Sequence, residues 1–258
     1  MQGKHSKENT KKKNGNSKKI RIPLLLLIFI FIMIFTGIKI FNWLKENKDS
    51  NDIIEDIQDL ISIDENIDTV DKYNIDFDSL KQKNSDTIAW LKVNGTDIEY
   101  PVVKTTNNDF YMTHSFNKSY NSAGWVFMNY KNKFDGTDNN MVIYAHNRRD
   151  GSLFGTLKNI LTEDWQNNSA NYAIPFITED EKAEYQVFSV YRIEKEDYYI
   201  TTNFGNDSEF QKFIDKIKSR SVKDFNVNVD TQDHILTLST CADNNKYRVV
   251  LHAKKIVK

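Results

Sequence analysis

The chain has 258 residues, of which 39% are hydrophobic and 28% charged, which is enough apolar sequence for one or two folded domains. Nine glycines and three prolines exclude collagen-like and proline-rich architectures. The single cysteine, Cys241, excludes an internal disulfide and a cysteine-based zinc finger.

The net charge of -1 hides a strong asymmetry along the chain. Residues 1–21 contain eight Lys or Arg and one acid, which gives them a net charge of +7 and leaves -8 for the remainder. A basic patch confined to one terminus does not fit a nucleic-acid-binding domain, so no nucleic-acid partner is expected. The basic block is better explained by the segment that follows it.

The next segment predicts a membrane anchor. Ile22–Ile38 is a run of seventeen residues without a charge, and its apolar character continues to Leu44. Flanks rich in Lys and Arg stay in the cytoplasm, so residues 1–21 are expected to form a cytoplasmic tail and residues 22–44 a single transmembrane anchor. The remainder of the chain is then extracellular.

Two alternatives to a retained anchor are a cleaved signal peptide and a buried core helix. No A-x-A-like site of small residues follows the apolar run, which argues against cleavage. A core helix of a soluble protein seldom has so long an uncharged stretch.

Residues 45–85 are acidic and contain neither Gly nor Pro. Their apolar residues recur at helical spacing with acids between them, which predicts an amphipathic helix. These apolar positions are Ile53, Ile54, Ile57, Leu60 and Ile61. We expect a helical stalk or N-terminal helices that pack on the following domain, and we assign the acids no chemistry, since a charge run is usually a solvated face.

From Asp86 onward the chain reads as a mainly β domain spanning residues 86–258. Short β-rich runs are separated by Asn-Gly, Asp-Gly and Asn-Asn turn signals, as in a closed barrel or a sandwich. The predicted strands are Thr87–Val93, Ile98–Lys104, Gly124–Asn129, Asn140–Ala145, Glu184–Ile193, His234–Cys241 and Tyr247–Ile256. One long helix is predicted over Asp207–Ser221, with Asn206 or Asp207 as its N-cap.

Cys241 ends a predicted strand and precedes a polar turn. If that turn closes a hairpin, the next strand returns Arg248 to the side of Cys241. A lone cysteine is most often a small buried hydrophobe, but electropositive and partly open surroundings are where reactive thiols are found. Arg248 stays charged and only donates hydrogen bonds, so its natural task is to stabilise an oxyanion, the alternative being a surface ion pair.

A nucleophilic cysteine usually needs a histidine within reach. His5 precedes the membrane segment, and strand geometry puts His234 and His252 far from Cys241. His114 lies in a polar stretch without a regular pattern. His146 ends a predicted strand immediately before a loop, where catalytic residues are often found, and is the best candidate by elimination.

At these residues the chain resembles the sortases, which are membrane-anchored cysteine transpeptidases of the Gram-positive surface. The resemblance rests on Thr237-Leu238-Ser239-Thr240-Cys241, on the chain order His146, Cys241, Arg248, and on the anchor. It implies a closed eight-stranded β-barrel with N-terminal helices and one long helix before the cysteine strand.

Finer features resemble class B sortases over about residues 50–258. They are Tyr100-Pro101-Val102-Val103, the stretch Phe127–Asn132, and Ile143-Tyr144-Ala145-His146-Asn147 followed by Leu153-Phe154. Class B members usually carry glycine where Ala145 stands, which is a small departure next to the histidine.

The resemblance implies a role for each residue of the site. Cys241 attacks the carbonyl of a threonine in a C-terminal sorting signal of a secreted protein and forms a thioester. His146 transfers protons, and Arg248 stabilises the oxyanion. The acceptor is an amine of a peptidoglycan cross-bridge or of a pilin. Substrate contacts are expected from Tyr144, Ser239, Thr240, Tyr199 and Ile200.

Two other functions remain as alternatives. The first is a membrane-bound cysteine protease that only hydrolyses, although papain-like enzymes place cysteine before histidine, the reverse of the order here. The second is a non-catalytic surface-binding module in which Cys241 is only buried. The acids of residues 49–78 lack a calcium-loop spacing with its glycine, so no metal or cofactor is expected.

Overall fold

The computed structural model describes residues 17–242 and 246–256, with side chains described for residues 24–240 and 246–256. Most of the predicted tail of residues 1–21 therefore lies outside the described residues, as does the side chain of Cys241. The chain divides into two units, Met1–Lys45 and Glu46–Lys258.

The first unit contains most of the apolar part of helix α1, which runs over Ser17–Gln58. Leu24–Gln58 is long and apolar enough to cross a membrane, with a mean hydropathy of 2.8 in its most apolar window. The large apolar side chains between Leu24 and Leu44 are exposed rather than packed in a core. This composition is that of a candidate membrane span.

The second unit is built on a closed barrel of eight strands. The strands are β3 Thr87–Val93, β4 Ile98–Val103, β5 Phe127–Met128, β6 Asn140–Tyr144, β7 Ala173–Ile177, β8 Lys182–Glu194, β9 Ile235–Ala242 and β10 Tyr247–Lys255. Their order around the barrel is β10-β8-β7-β3-β4-β5-β6-β9. Two neighbouring pairs, β4–β5 and β6–β9, are parallel, and the other six are antiparallel. The predicted closed eight-stranded β-barrel is confirmed.

Side-chain alternation along the strands separates two hydrophobic clusters. On β9, Leu236 and Leu238 belong to the main core, whereas Ile235 belongs to a second cluster beneath the helix Asp207–Ser219. Successive residues of a strand point to opposite faces, so one strand can serve both clusters.

Helix α4 spans Asp207–Ser219 and ends two residues before the predicted boundary. Asn206 caps its first turn by accepting a hydrogen bond from the backbone N–H of Glu209 at 3.0 Å. Its apolar face is buried against the outside of the sheet and consists of Phe210, Phe213, Ile214 and Ile217. A helix with such a stripe is stable only where another element covers it.

The predicted amphipathic helix is wrong beyond Gln58, where α1 ends, because Leu60 and Ile61 leave the helix and Ile61 starts a strand. Residues 46–85 also contain further elements that the sequence pattern did not indicate. Strands β1 Ile61–Ile63 and β2 Tyr73–Ile75 pair with each other, and helix α2 follows over Phe77–Lys83. The Tyr73 ring packs 4.9 Å from that of Trp90 on β3, so this region shares the core of the barrel.

Strand β7 is the barrel strand that the sequence pattern missed. Its sequence, Ala-Ile-Pro-Phe-Ile, lacks polar alternation and contains Pro175, which lowers the expectation of a central strand. Pairing with β3 and β8 overrides that local preference. A short α3, Glu163–Gln166, precedes it.

Candidate active site

A cleft of about 390 Å³ lies where β6 and β9 end and β10 begins. The segment of residues 195–200 forms one of its walls. Its lining comprises Asn108, Asp109, Met112, Phe127, Tyr144, Ala145, His146, Lys195, Asp197, Tyr199, Ile200, Ser239, Thr240 and Arg248. Two of the three predicted catalytic residues and all five predicted substrate-contact residues therefore line one cleft.

Strand register brings the position of Cys241 to the same place. Cys241 and Arg248 are direct partners across the antiparallel β9–β10 pair. On the other side of β9, Tyr144 pairs with Ser239, two residues before Cys241, in the parallel β6–β9 ladder. His146 follows Tyr144 by two residues, so the three positions lie at one end of three adjacent strands.

His146 is partly buried and held by the backbone. Its Nε2 lies 2.8 Å from the carbonyl oxygen of Met112. A carbonyl oxygen only accepts hydrogen bonds, so Nε2 carries the hydrogen in this arrangement. Gly124 borders the ring, because a Cβ at that position would lie 3.0 Å from His146 Cδ2. Gly124 also has φ +65°, which favours glycine.

Arg248 is partly buried at the start of β10, and its Nη1 donates a hydrogen bond to the carbonyl oxygen of Tyr247 at 2.9 Å. This bond directs one edge of the guanidinium to the backbone of the preceding residue. A guanidinium has five N–H donors in a fixed plane, which suits it to binding an anionic oxygen in the cleft.

Three hydrogen bonds fix the cleft walls to the barrel. Thr240 Oγ1 donates to the carbonyl oxygen of Ala145 at 2.7 Å and so joins β9 to the backbone next to His146. Tyr199 and Ser239 share a hydrogen bond of 3.0 Å between their hydroxyls. Asn129 Nδ2 donates to the Tyr144 hydroxyl at 3.0 Å, and burial raises the pKa of Tyr144, so its phenol stays neutral.

The other described histidines lie outside the cleft. His252 is fully buried, and burial lowers its pKa to about 3. His234 Nδ1 is 2.9 Å from the carbonyl oxygen of Asp138, and the His114 ring stacks on Phe110 at 4.0 Å. His5 lies outside the described residues.

Several cleft residues were not indicated by any sequence pattern. They are Asn108, Asp109, Met112, Lys195 and Asp197. Most of them come from irregular segments whose path depends on the whole fold, so neither spacing nor periodicity marks them. Within residues 24–240 and 246–256, no group of three or more His, Cys, Asp or Glu is arranged to hold a metal ion.

A closed mixed barrel with a cleft at the ends of β6 and β9 defines the structural class, and comparison with known proteins gives the family. The family model described as the sortase domain matches residues 91–256. The chain is 32% identical over 229 residues to sortase B of Listeria monocytogenes, which covers 87% of this chain and 92% of that protein. This protein belongs to the sortase family, and its similarity is to sortase B.

Solved structures show the same relationship. A Staphylococcus aureus sortase B–substrate complex is similar with a TM-score of 0.65 and 29% identity, over 86% of this chain and 98% of that one. A sortase B complexed with Gly3 is similar with a TM-score of 0.65 and 34% identity, over 70% of this chain and 85% of that one.

Proposed function

We propose that the protein is a cysteine transpeptidase that joins a secreted protein, through a C-terminal sorting signal, to an amine acceptor of the cell surface. The observation that carries the proposal is the register of β9 with β10. It pairs Cys241 directly with Arg248 at the cleft that His146 lines. A nucleophile, a proton carrier and an oxyanion-binding group at one cleft are the components that acyl transfer requires.

In the first half-reaction the Cys241 thiolate attacks the carbonyl carbon of a threonine in the sorting signal. Arg248 stabilises the oxyanion of the tetrahedral intermediate. When the C–N bond breaks, His146 in its imidazolium form gives a proton to the departing amine, and a thioester to Cys241 remains.

In the second half-reaction an incoming amine attacks the thioester carbonyl and gives a proton to His146. The C–S bond breaks, the thiolate is restored, and a new amide joins the two substrates. A hydrolase would use water at this step, so the identity of the second nucleophile separates the two functions.

The proposed partners follow from the solved relatives and the family. Sortase B of Staphylococcus aureus has been solved with its substrate, and a sortase B has been solved with Gly3, which ends in a primary amine. For this chain we propose that the sorting signal enters the cleft beside Tyr144, Ser239, Thr240, Tyr199 and Ile200. The acceptor is then an amine of a peptidoglycan cross-bridge or of a pilin.

The decisive experiment incubates the detergent-solubilised full-length protein with sorting-signal peptides, with and without triglycine, and identifies products by mass spectrometry. A ligated product that requires triglycine is expected. Hydrolysis at the same rate with and without the amine would instead identify a protease. No turnover of any candidate peptide would favour a non-catalytic surface-binding module.

Variants of the three catalytic positions test the assigned roles. Cys241→Ala removes the chain's single thiol and is expected to abolish the thioester. His146→Ala is expected to lower turnover by several orders of magnitude. Arg248→Lys keeps the charge but loses the planar fork, and loss of one oxyanion donor typically costs roughly 10²–10³ in rate. Near-normal turnover by folded His146→Ala would refute its assignment.

We also propose that α1 anchors the protein with residues 1–21 in the cytoplasm and the barrel outside. The basic flank and the hydropathy of the segment beginning at Leu24 support this orientation. Protease added to intact protoplasts is expected to remove the barrel. Protection of the barrel until lysis would contradict the proposed orientation.

A further inference from the structure

A chain of hydrogen bonds runs through the second hydrophobic cluster and returns to the wall of the cleft. It begins at the Tyr198 hydroxyl, which donates to the Tyr191 hydroxyl at 3.3 Å. The Tyr191 hydroxyl lies 2.7 Å from His252 Nε2, and His252 Nδ1 lies 2.8 Å from Thr237 Oγ1. Thr237 Oγ1 in turn donates to Asn140 Oδ1 at 2.6 Å.

Asn140 closes the chain on the segment from which it began. Its Nδ2 donates to two backbone carbonyl oxygens, those of Tyr199 at 3.1 Å and Thr201 at 2.9 Å. The backbone N–H of Asn140 also donates to the carbonyl oxygen of Thr202 at 3.0 Å. The segment Tyr198–Thr202 is therefore held in two ways. The hydroxyl of Tyr198 bonds to Tyr191, and three of the segment's backbone carbonyl oxygens accept from Asn140.

The direction of every bond in this ring is determined. Two carbonyl oxygens face Asn140 Nδ2, so its other amide atom, Oδ1, must accept from Thr237. The single hydroxyl hydrogen of Thr237 is then used, so its oxygen accepts from His252 Nδ1–H. Consequently His252 Nε2 has no hydrogen and accepts from Tyr191, whose own oxygen accepts from Tyr198.

The surroundings keep His252 neutral. His252, Thr237 and Asn140 are fully buried, and burial lowers the pKa of His252 to about 3. The rings packed around it are Phe188, Tyr191 and Phe213, which carry no charge. A neutral imidazole has one donor and one acceptor, and both are used here.

The hydrogen-bond ring holds residues that line the cleft, although His252 itself lies outside the cleft. Tyr199 and Ile200 form part of the cleft wall, and the Tyr199 hydroxyl is bonded to Ser239 on β9. A displacement of this segment would change the shape of the cleft without touching His146 or Arg248.

We propose that His252, held as the Nδ1–H tautomer between Thr237 and Tyr191, is a positioning residue that fixes the Tyr198–Thr202 segment and thereby the affinity of the cleft for the sorting peptide. This inference rests on the proposed transpeptidase function. It assigns His252 no proton transfer.

Three variants of the full-length protein in detergent test the proposal. Thr237→Val replaces the hydroxyl with a methyl group and breaks the ring, whereas Thr237→Ser retains the hydroxyl. Ser189→Ala is the matched control, because Ser189 is fully buried on β8 and its hydroxyl donates to the carbonyl oxygen of Ile217 at 2.6 Å, outside the ring.

In Thr237→Val the KM for the sorting peptide is expected to rise by roughly tenfold, as loss of a buried hydrogen-bond partner predicts, while kcat and the KM for triglycine change little. Thr237→Ser is expected to restore the unchanged protein's KM, and Ser189→Ala to leave it unaltered. Equal peptide KM values for Thr237→Val and the unchanged protein would overturn the inference. Absence of ligation by the unchanged protein would instead refute the proposed function.

Two further measurements test the ring without depending on catalytic turnover. Nitrogen-15 NMR of the unchanged protein is expected to show His252 as the Nδ1–H tautomer, and an Nε2–H tautomer would overturn the ring. Amide hydrogen exchange of Tyr199–Phe204 is expected to accelerate in Thr237→Val and to stay unchanged in Ser189→Ala. Equal exchange in both variants would show that the ring does not hold the segment.

Discussion

Gly124 limits the room available to the His146 ring. In Gly124→Ala the new Cβ would lie 2.5 Å from the carbonyl oxygen of Tyr111 and 3.0 Å from His146 Cδ2. The backbone must shift, and the shift moves the ring whose proton transfer we propose. We expect peptide turnover to fall at least tenfold, about the effect of a small misplacement of a catalytic group, as measured by the triglycine-dependent ligation rate.

Gly136→Ala is the matched control for this prediction. Gly136 also has a positive φ, +82°, but a Cβ there meets nothing within 4 Å. Gly136→Ala is expected to lower the free energy of unfolding by about 1–2 kcal/mol, which is the effect of the left-handed conformation alone, and to leave turnover unaltered. Equal turnover in the two variants would show that the contact with His146 does not matter.

His252 makes stability depend on pH. Its pKa is about 3 in the folded protein against 6.5 for an ordinary histidine, so the unfolded chain binds more protons between those values. This contribution to stability is complete above pH 6.5 and is lost as pH falls toward 3, with a slope of at most about 1.4 kcal/mol per pH unit. Urea unfolding between pH 7 and pH 4 should show a shallower pH dependence in His252→Gln than in the unchanged protein. Equal slopes would contradict the neutral buried state.

At the level of strands, Thr240 ties the end of β9 to the backbone beside His146. In Thr240→Val the carbonyl oxygen of Ala145 loses the donor that now lies 2.7 Å away. We expect a large fall in kcat and only a small fall in the free energy of unfolding, because the two strand ends can separate while the barrel stays closed. The measurement is kcat together with the urea midpoint.

Thr240→Ser keeps the hydroxyl and serves as the control for that change. It should retain kcat near that of the unchanged protein. If Thr240→Val and Thr240→Ser lost kcat equally, the methyl group rather than the hydrogen bond would be responsible.

At the level of the whole molecule, residues 46–85 are part of the folded core. Five of their apolar side chains are buried: Ile57, Val70, Tyr73, Phe77 and Leu80. Burying one such side chain contributes about 1.5–3 kcal/mol, and the net stability of a whole domain is only roughly 5–15 kcal/mol, so removal of all five is expected to unfold the domain. The sequence pattern left open whether this region is a stalk or packs on the barrel, and the contacts show packing.

Two shortened proteins test this conclusion. A protein that begins at Lys45 is expected to fold in solution and to ligate peptide, since the first unit ends there. One that begins at Asp86 is expected to be unfolded or aggregated, as judged by circular dichroism and size-exclusion chromatography. Full activity of the shorter protein would show that residues 46–85 are dispensable.

The sequence by itself determined the features that depend on local order. Apolar runs and turn signals located seven of the eight barrel strands to within a few residues, and helical spacing located α4 with its Asn206 cap. The uncharged run indicated the candidate membrane span. The turn between β9 and β10 predicted that Arg248 returns beside Cys241, and the two residues are register partners. His146 was selected by elimination among the histidines and from the family resemblance.

Only the tertiary structure decided which side chains from distant segments meet. Closure of the barrel places β6 beside β9, although more than ninety positions separate Tyr144 from its partner Ser239. The same closure brings Asn108 and Asp197 to one cleft and completes the ring through His252. Such contacts depend on strand pairing and packing between elements far apart in the chain, so neither periodicity nor spacing within one segment can predict them.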